Sequence, residues 1–134
     1  MIKIEQLDPK KLSPEDLVLL EKGCYGSYDK ATVKDQVAAA GAGSAWIFRF
    51  SGDATGVFVL ARGNAEEREL VMTALAGKGL IRHFTEVYSE ITNLVRNVGT
   101  RRLVGYVSRP GLASIYKNKT KARPVATLFS EDLT

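Results

Sequence analysis

The sequence predicts a mixed α/β fold, with a mostly antiparallel twisted sheet of about six strands flanked by about four helices. Three observations carry that prediction. Two β-rich runs, residues 45–50 and 55–61, stand on either side of Ser51-Gly52-Asp53-Ala54, and a four-residue Gly/Asp loop between such runs reads as a hairpin. A third apolar run, residues 67–75, follows the turn at Gly63-Asn64, so three strands succeed one another with no helix between them. The longest amphipathic pattern comes next: Leu80, Phe84, Val87, Tyr88, Ile91, Leu94, Val95 and Val98 recur at three- and four-residue spacing. A meander followed by one strand–helix–strand crossover is the arrangement these pieces allow.

The elements follow in order. Ile2, Ile4 and Leu7 mark a first strand. Ser13-Pro14-Glu15-Asp16 opens a helix, with Ser13 as cap, Pro14 in the first helical position and Asp16 three residues past the cap; that helix runs to about Lys22. Gly23-Cys24-Tyr25-Gly26-Ser27 reads as a break, a second helix spans about residues 31–40, and Gly41-Ala42-Gly43-Ser44 turns the chain into the hairpin. The long helix of residues 80–98 ends where Gly99 stands as its C-terminal cap. Residues 102–107 form a buried-looking strand, Ser108-Arg109-Pro110 starts a short helix to about Asn118, and residues 124–129 are a last strand.

At 134 residues the chain reads as one domain, 1–134, large enough for a core without staples. Its 45% hydrophobic and 25% charged residues match a water-soluble protein. A single cysteine, Cys24, excludes an internal disulfide and suits a reducing cytosol. No signal-peptide profile and no membrane-length apolar run is present, so a cytoplasmic location and no membrane partner are expected. No metal-ligand cluster is visible, and His83, the one histidine, reads as a surface or boundary residue. Charge is uneven. Of 19 basic residues, eight lie in residues 96–123, where no acidic residue occurs; eleven remain to face all fifteen acidic ones elsewhere. A phosphorylated cofactor, nucleic acid or an acidic protein face would suit that stretch. Nucleic acid is disfavoured, because Tyr106 and Tyr116 are the only aromatic residues there for bases to stack on.

The segment Leu75-Ala76-Gly77-Lys78-Gly79-Leu80 joins an apolar strand to the amphipathic helix. A strand entering a helix through Gly-Lys-Gly leaves backbone N–H groups free at the positive end of the helix dipole, a geometry that holds phosphate, with the Lys78 ammonium beside it. The plainer reading is that two glycines make a tight turn.

The element order and these joints resemble the GNAT superfamily of acyl-CoA-dependent N-acyltransferases over nearly the whole chain. Ser51-Gly52-Asp53-Ala54-Thr55-Gly56-Val57-Phe58 is similar to the family's second-to-third-strand hairpin, residues 69–75 to its fourth strand, Gly77-Lys78-Gly79 to its pyrophosphate loop, and Leu112-Ala113-Ser114-Ile115-Tyr116 to the helix that often bears a tyrosine near the thioester sulfur. The short length resembles small GNAT-like proteins of tailed bacteriophages. The resemblance implies acetyl-CoA as cofactor, bound by Leu75, Gly77, Lys78, Gly79, Ser108 and Arg109, and transfer to an unidentified amine acceptor. It implies Glu69 as the base, Glu67 as its reserve and Tyr116 as the proton donor to the departing thiolate. Both carboxylates also read as solvated charges at a strand end, and Tyr116 also fits a core position. Ala74 stands where the family has Gln or Arg, which leaves open a degenerate GNAT fold used as a structural or interaction module, as in a phage particle. The location is then the bacterial host cytoplasm or the virion.

Overall fold

The computed structural model describes residues 1–24, 32–105, 110–125 and 131–133, with the side chains of residues 24 and 110–112 left aside. Its elements are β1 (Ile2–Leu7), α1 (Pro14–Cys24), α2 (Val33–Gly41), β2 (Ala45–Gly52), β3 (Thr55–Arg62), β4 (Glu69–Lys78), α3 (Phe84–Asn97), β5 (Arg102–Gly105) and α4 (Pro110–Lys119). The sheet has the order β1-β2-β3-β4-β5, antiparallel between neighbours up to β4 and parallel between β4 and β5. This is the expected meander and single crossover, with five strands among the described residues. The sixth was expected over residues 124–129; Pro124 and Val125 are not strand, and the rest lies outside the described residues.

Alternation along the strands divides the core in two. Ile2, Phe50, Phe58, Leu60 and Met72 face α3, whose Val87, Ile91 and Val95 close over them. Ala45, Ile47, Val57, Val59 and Ala74 face the other way, toward Leu20 of α1 and Val33 and Val37 of α2. Phe48 and Phe58 are register partners and stack at 4.9 Å between centroids. Each fully buried Val, Ile or Phe here contributes about 1.5–3 kcal/mol relative to exposure. α3 ends as Gly99 predicts: Gly99 has φ +84, its N–H donates to the Arg96 carbonyl and the Thr100 N–H to that of Val95, both at 3.0 Å. That pairing satisfies two of the carbonyls a helix leaves free at its end.

Helix boundaries shift where packing overrides local signals. Gly23 lies inside α1 and is not a break: a Cβ there would sit 3.2 Å from the Ala74 Cβ and from the Leu75 nitrogen, so glycine lets α1 lie close on β4. α2 begins later than expected, at Val33. Thr32 is its cap, with its side chain accepting from the Asp35 N–H and the Asp35 carboxylate accepting from the Thr32 N–H.

The start of α1 does more than cap. The Asp16 N–H donates to Ser13 Oγ at 3.1 Å, and the Ser13 N–H donates to Asp16 Oδ2 at 3.0 Å. Asp16, 2% exposed, also accepts from Arg49 of β2 through Nε at 3.1 Å and Nη2 at 2.6 Å, while Arg49 Nη1 reaches Glu5 of β1 at 2.8 Å. Burial alone would push the Asp16 carboxyl up; the hydrogen bonds from Arg49 and Ser13 outweigh it and hold the carboxyl below its ordinary range. A carboxyl so depressed adds stability that is complete above its unfolded value, about 3.9, and is lost as pH falls through its lower folded value. Asp16→Ala is therefore expected to cost about 3 kcal/mol at pH 7, the low end for breaking a buried pair because Arg49 is partly exposed. Urea unfolding checks this, and between pH 4 and 2 the variant should lose less further stability than the wild type.

Candidate active site

β4 pairs with β3 from Leu70 to Lys78 and with β5 from Glu69↔Arg102 to Met72↔Gly105. Residues 106–109, which follow Gly105, lie outside the described residues. Next to the last described β5 pair, β4 carries a bulge: Val59 pairs with Ala74 and Leu60 with Met72, so Thr73 has no partner in β3. The Thr73 hydroxyl donates to Gln36 Oε1 of α2 at 3.0 Å, and Gln36 is itself only 4% exposed.

The C-terminal end of β4 corrects the expected tight turn. Gly77 and Lys78 are strand residues, opposite Gly56 and Thr55. A Cβ on Gly77 would lie 2.3 Å from the Thr55 carbonyl oxygen and 2.9 Å from Phe50 Cζ, and one on Gly56 would lie 2.5 Å from the same ring atom. The facing glycines exist because the Phe50 ring packs over them, which keeps the strand going where the sequence suggests a turn. Of the tripeptide, only Gly79 turns the chain, with φ +72. Leu80, Ile81 and Arg82 then form a turn closed by the His83 N–H donating to the Gly79 carbonyl at 3.0 Å.

α3 consequently starts at Phe84, four residues later than its apolar periodicity suggests. His83 is its N-cap and makes no side-chain cap hydrogen bond, so no side chain shields the first-turn N–H groups of Phe84, Thr85 and Glu86. Lys78 and Arg82 are exposed beside them. The free N–H groups expected at the Gly77-Lys78-Gly79 tripeptide are thus found at the first turn of α3 instead.

Leu75 and Tyr116 lie on the α3 face, both half-buried against the core. The Tyr116 ring meets Phe84 edge-on at 5.1 Å and Tyr88 edge-on at 5.6 Å, so α4 packs on the first two turns of α3. Burial, with Tyr88 adding to it, pushes the Tyr116 phenol far above its ordinary value and keeps it a proton-bearing donor at neutral pH.

The two expected carboxylates are elsewhere. Glu69 begins β4, roughly 13 Å of strand from Thr73, and faces Arg102 at 3.6 Å. It lines a separate cleft of about 350 Å³ with Arg62, Arg68, Leu70 and Thr100. Glu67, expected on the same strand face, lies in the turn before β4 and is exposed. Both acids thus stand at the N-terminal end of β4, with Glu69 in its first pair with β5. Ser108 and Arg109 lie outside the described residues. Ala74 is buried against Gly23, so that position is core and has no room for a long polar side chain. No group of three His, Cys, Asp or Glu residues among the described residues could hold a metal. Gln36, Thr73 and Arg82 were not singled out from the sequence. The one signal for Thr73 is that it alone is polar in residues 70–76.

No family model matches this sequence, and no curated protein does. Solved structures do match its fold. YycN from Bacillus subtilis superposes with a TM-score of 0.66 at 12% identity, over 100% of this chain and 99% of that one. An aminoglycoside acetyltransferase from an uncultured soil metagenomic sample, in complex with sisomicin, gives 0.62 at 13% identity, over 99% and 97%. Glucosamine-6-phosphate N-acetyltransferase from Arabidopsis thaliana gives 0.59 at 10% identity, over 100% and 99%.

The two glycines should respond differently to substitution. Gly77→Ala must push Thr55 or Phe50 aside and is expected to cost about 3 kcal/mol, the upper range for overpacking. Gly79→Ala meets only ordinary contacts and should cost about 1–2 kcal/mol from its left-handed backbone. Denaturant unfolding of both distinguishes a sheet glycine from a loop glycine; equal costs would contradict the assignment.

Proposed function

Given that the chain has the GNAT fold, we propose that it is an acyl-CoA-dependent N-acyltransferase, moving an acetyl group from acetyl-CoA to an amine by direct attack. One observation carries the reading: β4 leads through the left-handed Gly79 to an α3 N-terminus with no side-chain cap. The diphosphate of coenzyme A suits the first-turn N–H groups of α3, with Lys78 and Arg82 supplying charge. The acetyltransferase names of the neighbouring structures support the same chemistry.

The reaction needs few protein groups. The neutral amine attacks the thioester carbonyl carbon, the C–N bond forms, and collapse of the tetrahedral adduct breaks the C–S bond. Tyr116 gives its phenolic proton to the departing thiolate and regains one from solvent. The proton lost by the amine passes to water, since Thr73–Lys78 includes no carboxylate.

Two outcomes are expected. Acetyl-CoA at a hundred times its dissociation constant should stabilise the protein by about 2.7 kcal/mol, a rise of roughly 10 °C in Tm, and Arg82→Glu should reduce the shift. A melting curve indifferent to the cofactor would remove the reading. Tyr116→Phe should lower kcat by roughly 10²–10⁴-fold with cofactor affinity retained. Steady-state rates on an amine panel check it, and unchanged turnover would return Tyr116 to a packing role.

A further inference from the structure

The cleft at the N-terminal end of β4 has no part in the acyl-transfer chemistry. It is lined by Arg68, Glu69 and Leu70 at the entry to β4 and by Val98 and Thr100 just past α3, and its volume is about 350 Å³. Ligand sites span roughly 300–1,000 Å³, so this one suits a small molecule. Arg68 is its most telling residue. Among the described residues it is the one non-glycine with a positive φ, +47. A side chain makes that backbone costly, and glycine would form the turn at lower energy. Neighbours hold the turn: Asn64 Oδ1 accepts from the Glu66 and Glu67 N–H groups at 3.0 and 3.4 Å, and the Arg68 carbonyl accepts from the Arg101 N–H at 3.0 Å. The guanidinium takes no part in this, and among the described residues it has no ion pair or hydrogen bond. What arginine adds over glycine is a free cation at the cleft.

Glu69 supplies the opposite charge. Gly63 makes room for it, since a Cβ there would lie 2.6 Å from Glu69 Oε1. Arg102 Nε stands 3.6 Å from Glu69 Oε2, too far for a good hydrogen bond, so the carboxylate keeps acceptor capacity for another donor. Val98, 71% exposed, and the half-buried Leu70 give the cleft an apolar part. We propose that this cleft binds a small apolar α-amino acid, with its carboxylate on Arg68, its ammonium on Glu69 and its side chain against Leu70 and Val98. The guanidinium fork matches a carboxylate in shape as well as charge. A simple carboxylic acid would be repelled by Glu69 and a simple amine by Arg68, whereas a zwitterion meets both with opposite charge. Arg62 is already engaged, with Nε 3.4 Å from the Gly43 carbonyl and its guanidinium over the Trp46 ring at 4.9 Å. From Glu69 to Lys78 the strand runs roughly 30 Å, so the cleft is separate from the start of α3 and does not depend on the acyl-CoA reading.

The test is calorimetry on the intact protein with L-leucine as probe, beside isopentylamine, which lacks leucine's carboxylate, and isocaproate, which lacks its ammonium. Leucine is expected to bind about tenfold or more tightly than either fragment, the size of one hydrogen bond to a charged group. Arg68→Gly keeps the left-handed turn, so it should hold or raise the melting temperature while bringing leucine down to the level of isopentylamine. Glu69→Gln should bring leucine down to the level of isocaproate. If Glu69→Gln fails to fold, Arg68→Gly alone decides. Leucine that does not bind at millimolar concentration, fragments that match it, or an Arg68→Gly variant that binds leucine as the wild type does would each overturn the inference. Failure of acetyl-CoA to bind would overturn the acyl-CoA reading and leave this one standing.

Discussion

β4 keeps its antiparallel ladder with β3 as far as Lys78. The placing of α3 depends on that length. Holding β4 straight to Lys78 needs the Gly56–Gly77 pair, because the Phe50 ring lies over it. The turn at Gly79 and the uncapped start of α3 follow directly from the end of that ladder. A strand that stopped at Leu75, as local glycine content suggests, would turn the chain before Gly77 could face Gly56.

The two faces of the sheet are held by different means. The α3 face is closed by apolar contact, with Phe84, Tyr88 and Tyr116 forming an aromatic group that seats α4 on the first turns of α3. The opposite face carries two directional pins: Asp16–Arg49 ties α1 to β2, and Gln36–Thr73 ties α2 to β4. Apolar burial stabilises without fixing register, whereas a buried hydrogen bond is lost when its partners slip. Directional contacts thus occur where α1 and α2 must be held in place on the strands.

The basic stretch of residues 96–123 is also dispersed by the fold. Arg102 faces Glu69 across the β4–β5 pair, and Lys117 and Lys119 occupy the last turn of α4, where the helix dipole favours cations. A charge excess that looks like one patch along the chain is assigned to separate elements. The exposed cations that flank the turn into α3, Lys78 and Arg82, come from outside that stretch.

The sequence by itself determined what depends on near neighbours. Alternation and helical spacing set the element order, Ser13 and Asp16 set the start of α1, and Gly99 set the end of α3, because each is a contact within a few residues. The hairpin and the meander followed for the same reason. Tertiary structure alone decided what depends on residues far apart. Gly77 is a strand residue only because Gly56 and Phe50 face it, and Gly23 serves in a helix because Ala74 and Leu75 of β4 lie too close to it for a side chain. Leu80 and Ile81 continue the helical phase of α3 in sequence, yet the turn at Gly79 keeps them out of the helix. Glu69 was rightly placed at a strand start, but its partner there, Arg102, comes from a strand 33 residues on. The bulge at Thr73 is a mismatch between two strands, and neither strand records it alone. The strand-to-helix joint was legible in the sequence, and which residues turn there was fixed only when β3, β4 and α3 met.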